Sequence, residues 1–229
     1  MCSSDLVVNA DTGLPASARY TYARAAEGQG TMHLLLGNVA ALESLDKVGT
    51  EDPALDAIED PYDYAVVAKM LAKGGYPDAV IRLGHEMTCL CQPWSAVGNG
   101  DAYVAAFRRV HDVMAAAAPK LRFDWNAARI GFTPWGAGAY PGDAYVDIIS
   151  MDVYYEPWKG DKAPYGPDVW AKSYARILTD HLNFAKSRGK PVAYPEWAVG
   201  AVDEPAFVAD MHRWMSSLPK SGPGRLVYA

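Results

Sequence analysis

The sequence predicts an α/β fold whose parallel strands form a (β/α)8 barrel, with part of the barrel missing. Apolar runs of strand length alternate with segments of helical periodicity, which indicates parallel pairing through crossover helices. Polar and aromatic residues collect where the strands end, as a barrel active site requires. A doubly wound sheet shows the same alternation, but no glycine-rich phosphate loop follows an early strand.

The hydrophobic pattern gives the elements in chain order. Strands are predicted at 31–37, 79–84, 121–126, 146–154, 191–196 and 225–229, with a further candidate at 6–9. Helices are predicted at 15–27, 60–75, 101–119, 168–187 and around 207–215. A complete barrel has eight strands in about 250 residues, so we expect an N- and C-terminally truncated fragment. The first strand or two would be missing and the last strand cut short. No linker or repeat divides residues 1–229, which we predict to form a single domain.

Composition narrows the class of protein. Half of the residues are hydrophobic and the net charge is −6, without a run of Lys or Arg, which argues against binding to nucleic acid or to an anionic membrane. The chain has 7 Trp and 14 Tyr but only 5 Phe, and rings with a polar edge suit partly wet binding sites. Its N-terminus lacks a signal-peptide pattern, and we expect the full-length parent to be secreted. The three cysteines are expected to be buried or half-buried thiols.

Two glutamates at strand ends carry the predicted chemistry. Glu86 follows the apolar run 79–84 together with His85, and Glu196 ends the run 191–196. Strands of a barrel open on the same face, so the two carboxyl groups are expected to meet across one cleft. Such a pair suits glycoside hydrolysis, in which one group donates a proton and the other attacks the sugar or activates water. The alternative is that both glutamates are salt-bridged or solvated loop residues. The histidines lack metal-ligand spacing, and neither a metal nor a cofactor is expected.

Four segments resemble one known family. IRLGHEM followed by PWS (81–95) is similar to the fourth strand of glycoside hydrolase family 26, the β-mannanase family of clan A, which ends in a His-Glu pair. FDWNAA resembles the next strand, and YPGDAYVDIISMDVYY (140–155) resembles the sixth strand with its Asp-x-Tyr ending. KPVAYPEWAVG (190–200) resembles the seventh strand, which presents the nucleophile. The similarity covers roughly residues 76–200 in the right order.

The resemblance implies roles for individual residues. Glu86 would be the general acid/base and Glu196 the nucleophile of a retaining mechanism. His85 would hydrogen-bond the substrate or hold the nucleophile in place. Tyr154 would contact the carboxylate of the nucleophile, and Trp94 would stack on a sugar ring.

Further side chains are predicted to line the substrate site. Trp125 and Trp197, with Trp135 and Trp158, are candidate platforms for sugar rings. Asn126 and Asp152 could bind sugar hydroxyls or tie strands together, and both roles stay open. Arg82 is also predicted to belong to the site, because a carboxylate beside an arginine keeps its charge more easily. Thr88, Cys89 and Cys91 stand where the family has Asn-Gly and Trp, so the substrate contacts beyond the cleavage point should differ.

The resemblance therefore implies an endo-acting retaining hydrolase of β-1,4-mannan-type polysaccharide. A β-glucanase or β-xylanase of the same clan is the nearest alternative, because loops rather than strand ends select the sugar. A catalytically silent carbohydrate-binding barrel is the alternative from another class. The expected partner is a polysaccharide or oligosaccharide, with no nucleic acid, no membrane and a monomeric state for the complete protein.

Overall fold

The computed structural model describes residues 31–34, 64–90, 92, 94–129, 138–157, 164–200 and 203–229, of which 31–34 are described by their backbone alone. Several sequence predictions fall outside these residues. They are the strand candidate at 6–9, the helix candidate at 15–27, the start of the helix predicted from Asp60-Pro61, and the rings of Trp135 and Trp158.

The described strands form one parallel sheet in sequence order. They are β1 (Thr31–Leu34), β2 (Val80–Leu83), β3 (Arg122–Ala128), β4 (Ile148–Tyr155), β5 (Val192–Ala193) and β6 (Trp197–Val199). The spatial order is β1-β2-β3-β4-β5, and β6 pairs with the far end of β4. The predicted terminal strand is present as a parallel bridge from Val192 to Leu226. Strands that neighbour one another in sequence order are the arrangement of a (β/α)8 barrel, of which this sheet forms a part.

Helices connect the strands. They are α1 (Tyr64–Lys73), α2 (Gly100–Ala117), α3 (Pro167–Val169), α4 (Arg176–Ser187) and α5 (Pro205–Ser217), with a π-helical segment at Trp170–Ala175 between α3 and α4. None of these helices combines the length and the hydropathy needed to cross a membrane. The crossover from β2 to β3 runs through α2, and the crossover from β4 to β5 runs through α3 and α4, which confirms the predicted βα alternation.

The apolar spacing of α2 explains why it forms and how it packs. Tyr103, Phe107, Val110 and Met114 recur every three or four residues, and each is buried against the sheet. Asp101 in the first turn complements the positive end of the helix dipole. The helix ends at Ala117 because Pro119 follows it closely and disfavours a helical conformation in the preceding residue.

Alternation along β3 separates an apolar layer from a polar one. Phe123, Trp125 and Ala127 belong to the hydrophobic core, while Asp124 and Asn126 make polar contacts on the other face of the strand. All five side chains are buried. The apolar layer fills the space under the helices, and the polar layer lies inside the curve of the sheet.

The strand predicted at 191–196 is shorter than expected. Pairing with the near end of β4 stops at Ala193 and resumes with β6 at Trp197, so Glu196 lies in a break between two short strands. Pro195 explains the break, because proline has no N–H to donate to the ladder. Glu196 directly precedes β6, and its carbonyl still accepts from the Val153 N–H of β4 at 2.8 Å.

Truncating the core on α2 should destabilise the fold. Phe107 is completely buried, so Phe107→Ala should lower the free energy of unfolding by about 3–5 kcal/mol through lost burial and the cavity left behind. Urea denaturation monitored by circular dichroism measures the change. The control is Val208→Ala on α5, at a side chain that is 41% exposed, which should change stability by less than about 0.5 kcal/mol. Equal losses for the two variants would contradict this assignment of the core.

Candidate active site

A single buried arginine joins three carboxylates at the inner face of the sheet. Arg82 on β2 contacts Glu196 Oε1 through Nη1 at 2.9 Å and Asp152 Oδ2 through Nη2 at 2.5 Å. Its Nε lies 3.9 Å from Asp124 Oδ2. Burial opposes the charge of Arg82, but Asp152, Glu196 and Asp124 raise its pKa above the ordinary value, so the guanidinium stays protonated.

The carboxylate of Glu196 is held at both oxygens. Tyr154, near the end of β4, donates its hydroxyl to Oε2 at 3.0 Å, while Arg82 holds Oε1. The backbone N–H of Val153 donates to the Glu196 carbonyl at 2.8 Å, which fixes the main chain as well. Burial, followed by the charge and the hydrogen bond of Glu196, raises the pKa of Tyr154, so its phenol remains a donor. The Glu196 side chain keeps 31% of its surface exposed and can therefore meet a ligand.

Glu86 lies in the turn that follows β2. Its backbone N–H donates to Asn126 Oδ1 at 2.7 Å, and Gln92 Nε2 donates to its Oε2 at 3.3 Å. The residue has a φ of 50°, in the left-handed region that side-chain-bearing residues rarely occupy. The contact with Asn126 ties this turn to β3, so the position of Glu86 depends on the neighbouring strand.

Glu86 and Glu196 both raise the pKa values of the same two residues, Tyr154 and Asp152. The negative charges of both glutamates raise the pKa of Tyr154, after the effects of burial and of the hydrogen bond to Glu196. Both also raise the pKa of Asp152, where burial is the largest effect and Arg82 opposes it. Polar contacts also connect the two glutamates: Asn126 accepts from the Glu86 N–H and donates to Asp152, and Arg82 contacts both Asp152 and Glu196.

Asn126 and Asp152 are almost completely buried. Asn126 Nδ2 donates to Ser150 Oγ at 2.8 Å and to Asp152 Oδ1 at 3.2 Å, which links β3 to β4. Of the two roles that the sequence leaves open for these residues, the structure favours tying the strands together. Arg82 is also completely buried, so it is placed to act on the carboxylates rather than on a sugar.

His85 and Trp94 pack against each other beside the turn that carries Glu86. Their ring centroids are 5.4 Å apart, and Trp94 Nε1 donates to the His85 carbonyl at 2.7 Å. Burial and the charge of Arg82 lower the pKa of His85 to about 4, so its imidazole is neutral at ordinary pH. Trp94 is only 4% exposed, and stacking of a sugar on this ring stays a prediction.

The two remaining tryptophans of the predicted site, Trp125 and Trp197, differ in how deeply they are buried. Trp125 is wrong as a sugar platform, because it points to the helix side of β3 and is completely buried. Its Nε1 donates to the Ala139 carbonyl at 3.0 Å, and its ring packs edge-on against Tyr140 at 5.2 Å. Trp197 is half-buried on β6, directly after Glu196, and its role as a platform stays a prediction.

Sequence reasoning missed three features of this region. Gln92 contacts Glu86, and Tyr228 donates its hydroxyl to Asp124 Oδ2 from the terminal segment. No local pattern in the sequence pairs Gln92 with Glu86 or Tyr228 with Asp124. Cys89 is in a disulfide, contrary to the free thiol expected.

The carboxylates of this cluster converge on an organic cation. The Arg82 guanidinium occupies the point where Asp124, Asp152 and Glu196 come together. Within the part of the chain that the structure describes, no group of three or more His, Cys, Asp or Glu side chains is arranged to hold a metal ion.

Neutralising Asp124 should change how stability depends on pH. Burial raises the pKa of Asp124 to about 6, against the opposing effects of Arg82, Ser150 and Tyr228. A raised pKa in the folded state means that the stability contributed by Asp124 is complete below its unfolded pKa and is lost as the pH rises through about 6. The stability of Asp124→Asn relative to the wild type should therefore improve by about 2 kcal/mol between pH 4 and pH 7.

Urea denaturation at several pH values measures this trend. The control is Leu90→Ala, which changes a side chain that is 77% exposed and removes no titrating group, so its difference from the wild type should not vary with pH. A difference for Asp124→Asn that stayed constant across the range would contradict the assigned burial of this carboxyl.

Known proteins are similar to this chain in sequence and in structure. The signature of the family described as Glycosyl hydrolase family 26 matches residues 41–187. The solved structure of a GH26 β-mannanase from Bacteroides ovatus, BoMan26A, is 18% identical with a TM-score of 0.53 and covers 73% of this chain and 47% of that one. A Cellulomonas fimi endo-β-1,4-mannanase double mutant is 18% identical with a TM-score of 0.51, over 66% of this chain and 34% of that one.

A curated relative by sequence is Endoglucanase H from Acetivibrio thermocellus, which is 31% identical over 122 residues, 50% of this chain and 13% of that protein. The chain thus spans less than half the length of each of these relatives. The structural similarity confirms the fold as part of a (β/α)8 barrel. The family signature covers well over half of the chain, including three of the four segments whose resemblance was noted, so the chain belongs to glycosyl hydrolase family 26.

Proposed function

We propose that this chain carries the catalytic centre of an endo-acting retaining glycoside hydrolase for β-1,4-mannan-type polysaccharides. Glu196 is the nucleophile and Glu86 is the general acid/base. The observation that carries the proposal is the series of hydrogen bonds that links Glu86 through Asn126, Asp152 and Arg82 to Glu196, which supports one shared pocket for the two carboxyl groups. Family membership supports the reaction class.

The surroundings of Glu196 suit a nucleophile. A carboxylate must be ionised to attack an anomeric carbon, and hydrogen bonds to the charged form favour that state. Arg82 and Tyr154 donate one such bond to each oxygen, at 2.9 Å and 3.0 Å. The two donors also restrict the rotation of the carboxylate, which directs it into the pocket.

The surroundings of Glu86 suit proton exchange. Its neighbour Gln92 is a neutral amide, whereas Glu196 is in direct contact with a guanidinium. When two nearby carboxyl groups have different partners, their pKa values differ, so one group can act as an acid and the other as a base. In the proposed first step, Glu196 forms a bond to the anomeric carbon while the leaving oxygen takes the proton of Glu86. In the second step, Glu86 accepts a proton from water, which displaces Glu196 and releases the sugar with its configuration retained.

The sugar specificity is the finer part of the proposal. Mannan is placed first because the strand-end motifs resemble the β-mannanase family. β-Glucan is the second candidate, because Endoglucanase H is 31% identical over 122 residues. The turn that carries Glu86 also contains Thr88 and the disulfide-bonded Cys89, so the contacts around the leaving sugar should be particular to this chain.

Removing either glutamate should abolish hydrolysis. Glu196→Ala and Glu86→Ala should each lower kcat by about 1,000-fold or more, because each group carries a separate chemical role. Reducing ends released from mannan, glucan and xylan measure activity and rank the substrates. The matched control is Glu204→Ala, at a residue that precedes α5 and makes no side-chain capping bond, which should keep wild-type activity.

The stereochemistry of the product separates the possible mechanisms. Proton NMR during the first minutes of hydrolysis should show the β-anomer of the new reducing end if the configuration is retained. An initial α-anomer would contradict the nucleophilic role of Glu196. A wild-type chain that binds mannan but releases no reducing ends, with binding unchanged in Glu196→Ala, would instead identify a carbohydrate-binding barrel.

A further inference from the structure

Tyr228 reaches the inner face of the sheet from the terminal segment of the chain. The backbone of this segment pairs with β5, where Val192 N–H donates to the Arg225 carbonyl at 2.9 Å and Val227 N–H donates to the Val192 carbonyl at 3.0 Å. Tyr194 N–H also donates to the Tyr228 carbonyl, at 3.2 Å. This pairing orients the phenol of Tyr228 inward, and its hydroxyl donates to Asp124 Oδ2.

Asp124 links this phenol to the arginine cluster. The same oxygen, Oδ2, accepts from Tyr228 and lies 3.9 Å from Arg82 Nε. The other edge of the Arg82 guanidinium holds Asp152 and Glu196. A continuous path of polar contacts therefore runs from the terminal segment through β3 and β2 to the proposed nucleophile.

We propose that Tyr228 is a positioning residue for Glu196 and acts through Asp124 and Arg82. The inference rests on the proposed function of Glu196 and adds a residue from outside the strand-end motifs. The guanidinium is planar and rigid, so fixing its Nε edge also fixes where Nη1 meets Glu196. Tyr228 donates its hydroxyl to Asp124, so its proposed effect on Glu196 passes through other residues.

Tyr228 can influence Glu196 through Arg82 only while Asp124 is ionised. The titratable groups that face Asp124 are Arg82 from β2, Tyr103 from α2 and Tyr228 from the terminal segment, with the neutral hydroxyl of Ser150 from β4. Burial raises the pKa of Asp124, and the hydrogen bond from Tyr228 lowers it. Without that hydrogen bond, Asp124 should take up its proton at a higher pH and lose its electrostatic attraction to Arg82 Nε, 3.9 Å away.

The test is Tyr228→Phe, which removes one hydroxyl and keeps the ring. We expect kcat on the preferred polysaccharide to fall by about tenfold near pH 6, which is the size expected for losing a hydrogen bond to a charged group. The acid limb of the kcat/KM profile should also move to higher pH, whereas a merely structural role would lower activity equally at every pH. Circular dichroism and the melting temperature establish that the variant is folded.

The matched control is Tyr165→Phe. Tyr165 donates to Asp210 Oδ2 at 2.5 Å, so this variant removes the same kind of bond outside the proposed site. Its pH profile should be that of the wild type. Because Tyr228 acts through Asp124, the double variant Tyr228→Phe/Asp124→Asn should show the same profile as Asp124→Asn alone.

The outcomes distinguish this inference from the proposed function. If Glu196→Ala is inactive while Tyr228→Phe keeps the wild-type pH profile, the positioning role is wrong and the proposed function stands. If Glu196→Ala retains activity, the proposed function fails and this inference falls with it. Should Tyr228→Phe not fold, Asp124→Asn decides the question, because a wild-type acid limb in that variant would overturn the path through Asp124.

Discussion

The buried guanidinium of Arg82 is the interaction on which the described site depends. Charges are expensive to remove from water, and a buried cation is stable only when partners compensate it fully. Here the partners come from β3, β4 and the break before β6, so one side chain ties together three chain segments. Removing one member of such a cluster leaves an uncompensated buried charge, a loss of about 3–5 kcal/mol.

The cluster also creates an asymmetry between two neighbouring carboxyl groups. Arg82 contacts Glu196 directly, whereas Glu86 meets an amide from Gln92. The buried Asp152 lies between these environments, where both glutamates disfavour its charge and Arg82 favours it. The polar layer inside the sheet therefore positions the two groups and sets the electrostatic difference between them, while the apolar layer under the helices supplies stability.

Much of this arrangement follows from local patterns in the sequence. The strand that delivers Glu86, the helix α2 and the inward-facing Asp124 and Asn126 all obey simple apolar spacing. The same period of two places Trp125 on the helix side of β3, so its burial was readable from the sequence. Family resemblance pointed to Tyr154 as a partner of Glu196, and the structure contains that hydrogen bond at 3.0 Å. The contact of Tyr228 with Asp124 spans 104 positions, and no local pattern encodes such a pairing.

The left-handed backbone conformation at Glu86 determines which substitutions at this position stabilise the chain. Among the described residues, Glu86 is the only one other than glycine with a positive φ. A residue with a side chain occupies that conformation at a disadvantage of roughly 1 kcal/mol, which glycine avoids and asparagine reduces. A library selected only for heat resistance should accordingly enrich glycine or asparagine at position 86. Selection for heat resistance would then remove the Glu86 carboxyl, which is proposed to transfer the proton. Stabilised variants therefore need an activity screen at every round.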